Sequence, residues 1–170
     1  MLYPHRTLNC RGRLLDLGQP RIMGIINATP DSFYAASRRR ELGEAVALAG
    51  EMLAAGADIL DIGGMSSRPG AKVIEVSEEE ARVVPVIEAI HRAYPEAIIS
   101  IDTVRASVAR AAVAAGASMI NDISAGSLDH ELFATVADLG VPYILMHMQG
   151  RPENMQNDPS YTDVLDEVLA

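Results

Sequence analysis

The sequence predicts a parallel α/β fold assembled from βα units, and three observations carry that reading. Short apolar runs rich in Ile, Val and Leu recur at 22–26, 59–62, 98–101, 119–123 and 143–146. Each is continuously apolar rather than alternating, the pattern of a strand buried on both faces of a parallel sheet. Alanine-rich stretches with helical spacing separate them, and a helix-Gly-strand phrase repeats as Ala54-Ala55-Gly56-Ala57, Ala114-Ala115-Gly116-Ala117 and Leu139-Gly140-Val141. Strand starts fall about 30 residues apart, the length of one βαβ step.

Taken in order, residues 7–17 read as a short hairpin turning at Arg11-Gly12, ahead of the first core strand. The first helix, about 41–55, puts Leu42, Val46, Ala49, Met52 and Leu53 on one stripe and stops at Gly56. The Arg38-Arg39-Arg40 run before it reads as a solvated surface turn rather than a phosphate-attracting patch. The second helix starts at Ser77, which forms a capping box with Glu80, and runs through Val83, Val84, Ile87 and Ile90 toward Tyr94-Pro95. Pro85 should bend or shorten its first turns. Two further helices fit 105–115, ending at Gly116, and 129–139, ending at Gly140. A last one begins near Tyr161 with Thr162 as cap, Asp163 in the first turn and Val164, Leu165, Val168 and Leu169 as its apolar face, and no stop signal follows. Five βα units fit either a complete doubly wound sheet or the front two-thirds of a barrel.

At 170 residues the chain has the length of one domain, short of the roughly 250 of a closed eight-unit barrel. Its 49% hydrophobic and 22% charged residues describe a globular protein, not a disordered one. No apolar run approaches the roughly 20 residues of a membrane span, and residues 1–9 lack a secretory signal, so a cytoplasmic location is expected. The single cysteine, Cys10, allows no internal disulfide and no thiolate zinc site. A net charge of −9 argues against nucleic acid or an anionic membrane as partner. The charge is uneven, because residues 1–40 hold seven arginines against two aspartates and the remainder carries −14.

Polar residues gather after every strand: Asn27-Ala28-Thr29-Pro30-Asp31-Ser32, Gly63-Gly64-Met65-Ser66-Ser67-Arg68, Asp102-Thr103, Asn121-Asp122-Ile123-Ser124 and His147-Met148-Gln149-Gly150-Arg151. Turns and caps need such residues anyway. Yet the carboxyl ends of parallel strands form the site face of these folds, and Asp61 and Asp102 lie in or at the ends of apolar strands, where carboxylates are rarely placed without a role. No G-x-G-x-x-G follows the first strand and no G-x-x-x-x-G-K-[ST] occurs, which removes dinucleotide and P-loop readings. Gly63-Gly64 with Ser66, Ser67 and Arg68 has the donors to hold phosphate oxygens. His147 has no second His at ligand spacing and reads as a strand-end hydrogen-bonding residue rather than a zinc ligand.

The segment Met23-Gly24-Ile25-Ile26-Asn27-Ala28-Thr29-Pro30-Asp31-Ser32-Phe33 resembles the first signature of the dihydropteroate synthase family. Asp61-Ile62-Gly63-Gly64-Met65-Ser66-Ser67-Arg68-Pro69-Gly70-Ala71, Ile99-Ser100-Ile101-Asp102-Thr103, Ile120-Asn121-Asp122-Ile123 and Leu145-Met146-His147-Met148-Gln149-Gly150 follow in family order. The resemblance implies a TIM (β/α)8 barrel of the pterin-binding type, C-terminally incomplete, with 1–170 as one domain lacking the last three units. It implies an alkyl-group transferase of folate biosynthesis that condenses 6-hydroxymethyl-7,8-dihydropterin diphosphate with p-aminobenzoate, releasing diphosphate. By the same resemblance Asn27 helps hold Mg2+ on the diphosphate, Ser67 and Arg68 contact that group, and Asp102 and Asn121 bond the pterin edge at the catalytic centre, with Asp61 a further substrate-binding residue. Thr29, Pro30, Asp31 and Phe33 belong to a first mobile loop, 29–34, and 66–71 to a second; together they close over the aminobenzoate side and exclude water.

Tyr34-Ala35-Ala36-Ser37 stands where the family usually has Ser-Asp-Gly-Gly, and Met65-Ser66-Ser67 where Glu-Ser-Thr is common. The family's Asp-Pro-Gly, Ser-Arg-Lys and Arg-x-His motifs have no counterpart, so very weak or no activity is expected of this chain alone. The family's usual dimer contact uses late helices, so a homodimer is an expectation for the full-length parent and is not carried to this chain. Two competing readings are a methyltetrahydrofolate-dependent methyltransferase pterin-binding domain and a non-catalytic open α/β module that binds a pterin or an anion. Thr29-Pro30-Asp31-Ser32-Phe33 and Ser66-Ser67-Arg68-Pro69-Gly70 weigh against the first.

Overall fold

The computed structural model describes residues 6–28, 35–65, 74–151 and 154–169. It opens on an antiparallel hairpin of β1 (Thr7–Cys10) and β2 (Arg13–Asp16), joined at Arg11-Gly12 as the sequence predicts. Both turn residues have positive φ, +56° and +92°, the left-handed pair that matches the twist of a two-residue hairpin. Five strands follow, β3 (Met23–Asn27), β4 (Ile59–Gly63), β5 (Ile98–Asp102), β6 (Met119–Asp122) and β7 (Tyr143–Leu145). They alternate with α1 (Ala35–Ala54), α2 (Val76–Ala93), α3 (Ala106–Ala115), α4 (Leu132–Leu139) and α5 (Val164–Leu169).

The sheet order is β3-β4-β5-β6-β7, with every neighbouring pair parallel. A doubly wound sheet reverses its strand order at a switch point. Strands that are always added on the same side, by right-handed crossovers, instead build a barrel wall with helices on the outside. Strand order therefore settles the architecture that the spacing of elements left open.

The two faces of the sheet have different partners. Ile26, Leu60, Ile62, Ile99, Ile101 and Ile120 point outward and pack with Val83, Ile87 and Ile90 of α2, Val108 and Ala112 of α3 and Leu132 of α4. Each such aliphatic side chain stabilises the fold by about 1.5–3 kcal/mol relative to exposure. The inner face carries Ile59, Ile98 and Met119, which are covered by Cys10 and Leu15 of the hairpin. Arg11 Nη1 donates to the carbonyls of Val113 at 2.8 Å and Ala117 at 3.3 Å, and Arg13 reaches the carbonyls of Pro95 and Ala97. Part of the N-terminal arginine excess thus pins the hairpin under the sheet, at the end away from the polar clusters. Among the described residues no helix is long and apolar enough to cross a membrane.

Several local expectations are corrected. Strand β4 is buried along its length, but β3 and β7 are sheet edges, so Ile25 and Leu145 are 61% and 54% exposed. Helix α1 begins at Ala35, so the triple-arginine run is helical rather than a turn; alanine and arginine are strong helix formers and nothing breaks the run. Arg40 is exposed and pairs with Glu44 one turn on. Helix α2 begins at Val76 with Glu75 in the cap position and no side-chain cap bond, so the Ser77 and Glu80 box does not form. Pro85 sits inside α2, which still runs 18 residues. Helix α4 begins at Leu132 rather than Asp129, whose carboxylate is shared: Oδ2 accepts the N–H of Ala106 at 2.7 Å in the first turn of α3, and Oδ1 accepts the N–H of Glu131 at 3.0 Å just ahead of α4. In α5 the cap is Asp163 rather than Thr162, since Asp163 Oδ1 accepts the N–H groups of Leu165 and Asp166.

Candidate active site

Parallel pairing places Asn27, Gly63, Asp102 and Asn121 on one row across the C-terminal ends of β3 to β6. Ile25, Asp61, Ser100 and Met119 form the row beneath. Because side chains alternate faces along a strand, both rows point to the inner face, opposite the helices. Four predicted site residues, Asn27, Asp61, Asp102 and Asn121, are thereby brought together. Thr29, Pro30, Asp31, Phe33, Ser67 and Arg68, with the loops 29–34 and 66–71, lie outside the described residues.

The Asn121 Nδ2 donates to Asp61 Oδ2 at 2.9 Å. That bond fixes the amide and leaves its Oδ1 free to accept from a ligand. Asp61 is 3% exposed, so it supports Asn121 from below. Its Oδ1 and the Oγ of Ser100, its cross-strand partner, are buried without a hydrogen-bond partner. Asp102 is half-buried, and its carboxyl is pushed up to about 7, first by burial and then by the negative charges of Asp61, Glu79 and Asp122.

The glycines that end β4 serve this packing. A Cβ on Gly63 would stand 3.4 Å from Asp102 Oδ2, while one on Gly64 would stand 2.7 Å from Val83 Cγ1 and 3.3 Å from the Glu79 carbonyl oxygen. Gly64→Ala is therefore expected to cost about 1–3 kcal/mol through overpacking, read as a lowered Tm in a thermal melt.

Sequence reasoning did not single out Glu79 or Arg105, and it placed Asp122 in a polar cluster without a role. Glu79 is fully buried, with Thr103 and Arg105 as partners. Asp122, one residue after Asn121, faces the other side and accepts from Ser124 N–H and Oγ–H and from Gly126 N–H, each at 2.7 Å, and from the Tyr143 hydroxyl. Burial, and next the bond to Asp122, hold the Tyr143 hydroxyl well above the usual phenol range. His147 lies on the exposed side of the chain after β7 with its ring 5.7 Å from that of Tyr161.

No group of three His, Cys, Asp or Glu side chains that could hold a metal occurs among the described residues. The exposed amide of Asn27, at the rim of the row, offers a single hard oxygen. That donor suits a cation whose remaining oxygen ligands arrive with a phosphorylated substrate and water, as Mg2+ commonly takes them.

Residues 23–170 match the family described as pterin binding enzyme. The chain is 47% identical over 161 residues to dihydropteroate synthase of Escherichia coli K12, covering 95% of this chain and 56% of that one. Among solved structures, Xanthomonas albilineans dihydropteroate synthase with 4-aminobenzoic acid matches with a TM-score of 0.81 and 47% identity, covering 96% of this chain and 57% of the other. The same enzyme in complex with 7,8-dihydropteroate matches at 0.75 and 44%, covering 95% and 55%. The chain thus spans about half the length of the curated relatives it matches.

Proposed function

The chain belongs to the pterin-binding enzymes, and from that premise we propose that it takes part in the dihydropteroate synthase reaction, binding the pterin substrate through Asp102 and Asn121. The observation that carries this reading is the row of Asn27, Asp102 and Asn121 on the inner face, with Asp61 fixing the Asn121 amide. Two solved structures of the Xanthomonas albilineans relative hold 4-aminobenzoic acid and 7,8-dihydropteroate, the second substrate and the product of that reaction. No observation favours the methyltransferase reading over it.

The carboxylate of Asp102 and the free oxygen of Asn121 are acceptors set side by side, matched to the N–H donors on the edge of a pterin ring. As the C–O bond to diphosphate breaks, positive charge develops on the pterin methylene, and the anion of Asp102 stabilises it from a partly dry position. Diphosphate leaves with the electron pair of that bond, and the aminobenzoate nitrogen then forms the new C–N bond and gives up its proton to a diphosphate or water oxygen. Asn27 would hold Mg2+, which when bound neutralises the diphosphate. Ser67 and Arg68 would contact that group, Thr29, Pro30, Asp31 and Phe33 would bound the aminobenzoate side, and the reaction would take place in the cytoplasm. Turnover by this chain alone is proposed to be very weak or nil, since β3 and β7 leave the wall open at both edges.

Isothermal titration with 6-hydroxymethyl-7,8-dihydropterin diphosphate tests the reading. Binding that strengthens with Mg2+ and weakens roughly tenfold in Asn121→Ala is the expected result, the loss matching one hydrogen bond to a ligand. A cooperatively folded chain that binds nothing under either condition would sink it, and measurable dihydropteroate formation would overturn the prediction about turnover.

A further inference from the structure

Glu79 brings a fully buried carboxylate to the meeting point of two strand-to-helix connections, the one after β4 and the one after β5. Its Oε1 accepts from the Thr103 hydroxyl at 2.7 Å and its Oε2 from Arg105 Nη1 at 2.8 Å. Arg105 Nη2 goes on to the carbonyl of Ile74 at 2.6 Å, and the Arg105 backbone N–H closes the turn onto Thr103 Oγ1 at 3.2 Å. The Thr103 N–H donates to the Asn121 carbonyl at 3.0 Å, so the turn that follows Asp102 is tied to the strand that carries Asn121. Gly64 lies directly against Glu79, and Arg82 Nη1 donates to the Gly64 carbonyl at 2.9 Å.

Hydrophobic residues of similar volume would stabilise the fold as well as a buried ion pair, or better. Directional bonds to two neighbouring turns provide something that apolar packing does not, a fixed geometry. We propose that Glu79 and Arg105 are positioning residues for Asp102: their ion pair sets the turn after β5, holds Asp102 level with Asn121, and supplies Arg105 as the counter-charge to the carboxylate of Glu79. The importance of Asp102 for pterin rests on the function proposed above; the placement of the pair does not.

Replacing the two partners separately should move the titration of Asp102 in opposite directions, which a brace that only stabilises the fold would not do. The charges that act on Asp102 are Asp61 of β4, Glu79 of α2 and Asp122 of β6, the last bonded to Tyr143 of β7; among the described residues the cations beside them are Arg105, paired with Glu79, and Arg82, paired with Glu78 of α2. Glu79→Gln keeps the shape and removes a negative charge, so the Asp102 midpoint should fall by about one pH unit. Arg105→Met leaves Glu79 uncompensated, so the midpoint should rise by a similar amount, and Arg105→Lys should restore it toward the parent value. The readout is the carboxyl 13C shift of Asp102 in the full 170-residue chain, assigned with Asp102→Asn, with circular dichroism confirming that each variant is folded. If Arg105→Met does not fold, the fall of the midpoint in Glu79→Gln against a parent-like Arg105→Lys decides the matter, and a Glu79→Gln midpoint at or above the parent value overturns the proposal. A midpoint that stays at the parent value in folded Glu79→Gln or Arg105→Met, or that moves in the same direction in both, would overturn the proposal. The measurement needs no substrate, so failure of the parent chain to bind the pterin would count against the proposed function and leave this inference standing.

Discussion

Replacing Asp122 by Ala is expected to destabilise the chain by about 3–5 kcal/mol, the cost of breaking a buried charged network by removing one member. Asp122 has no exposed surface and gathers four hydrogen bonds, from Ser124 N–H, Ser124 Oγ–H, Gly126 N–H and the Tyr143 hydroxyl. Truncation leaves those donors facing a dry cavity, and each unpaired buried donor costs on the order of 1–3 kcal/mol. The carboxylate also holds a turn that disfavours itself, since Ala125 has φ +47° and Gly126 φ +76°. A side chain on Gly126 would collide with the Phe133 ring, so the turn cannot relax by substitution there. Tyr143→Phe removes one donor and leaves the carboxylate three, so it should cost only about 1 kcal/mol. Thermal melts of the two variants check this, with a Tm lowered by roughly 10 °C for Asp122→Ala and by a few degrees for Tyr143→Phe. A Tm within two degrees of the parent for Asp122→Ala would mean that the backbone holds the turn without it.

Asp122 also shows how far sequence patterns reach. Asn121 and Asp122 are adjacent and equally polar, and only strand parity, known once the pairing register is known, sends the first to the inner face and the second toward Tyr143. Local signals did well where local physics decides: all five strand cores, the Arg11-Gly12 turn and the glycines after α3 and α4 follow from apolar runs and left-handed positions. They failed where a distant group decides. Asp129 has the look of a helix start, yet only one of its carboxylate oxygens serves the entry to α4 and the other serves Ala106 of α3, and the run 22–26 resembles 59–62 although β3 has a neighbour on one side only. The burial of Glu79 was legible, because its spacing to Val83, Val86, Ile87 and Ile90 continues the buried stripe of α2, but its flanking acidic residues masked it. Asn27, Asp102 and Asn121 were found because the site sits at strand ends, and their roles came from resemblance rather than from pattern.

Asp102→Asn is expected to abolish pterin binding while raising stability at neutral and alkaline pH. The sign follows from the direction in which folding moves this carboxyl, up to about 7 from an ordinary value of 3.8. Below about pH 4 the group is protonated in both folded and unfolded chains and costs nothing. As pH rises from about 4, the unfolded chain ionises freely while the folded chain resists, so the parent loses stability until Asp102 itself ionises near 7, and the loss is constant above that. Asparagine cannot ionise, so the gap between variant and parent should open over that window and reach roughly 1–3 kcal/mol, a discounted figure because Asp102 is half-buried and partly screened. Paired melts at pH 4 and pH 8 would read this as a Tm difference near zero at the lower pH and of roughly 5 °C in favour of the variant at the higher. The same ionisation governs the ligand. Two N–H donors favour the charged carboxylate, so pterin affinity in the parent should fall about tenfold for each pH unit below 7, with a proton released on binding. Asparagine presents an N–H2 group to one of those donors and loses both the affinity and its pH dependence. A variant that binds pterin as the parent does would show that the ligand does not use the carboxylate at the end of β5, and a stability gap that is the same at both pH values would show that its acidic neighbours do not strain it.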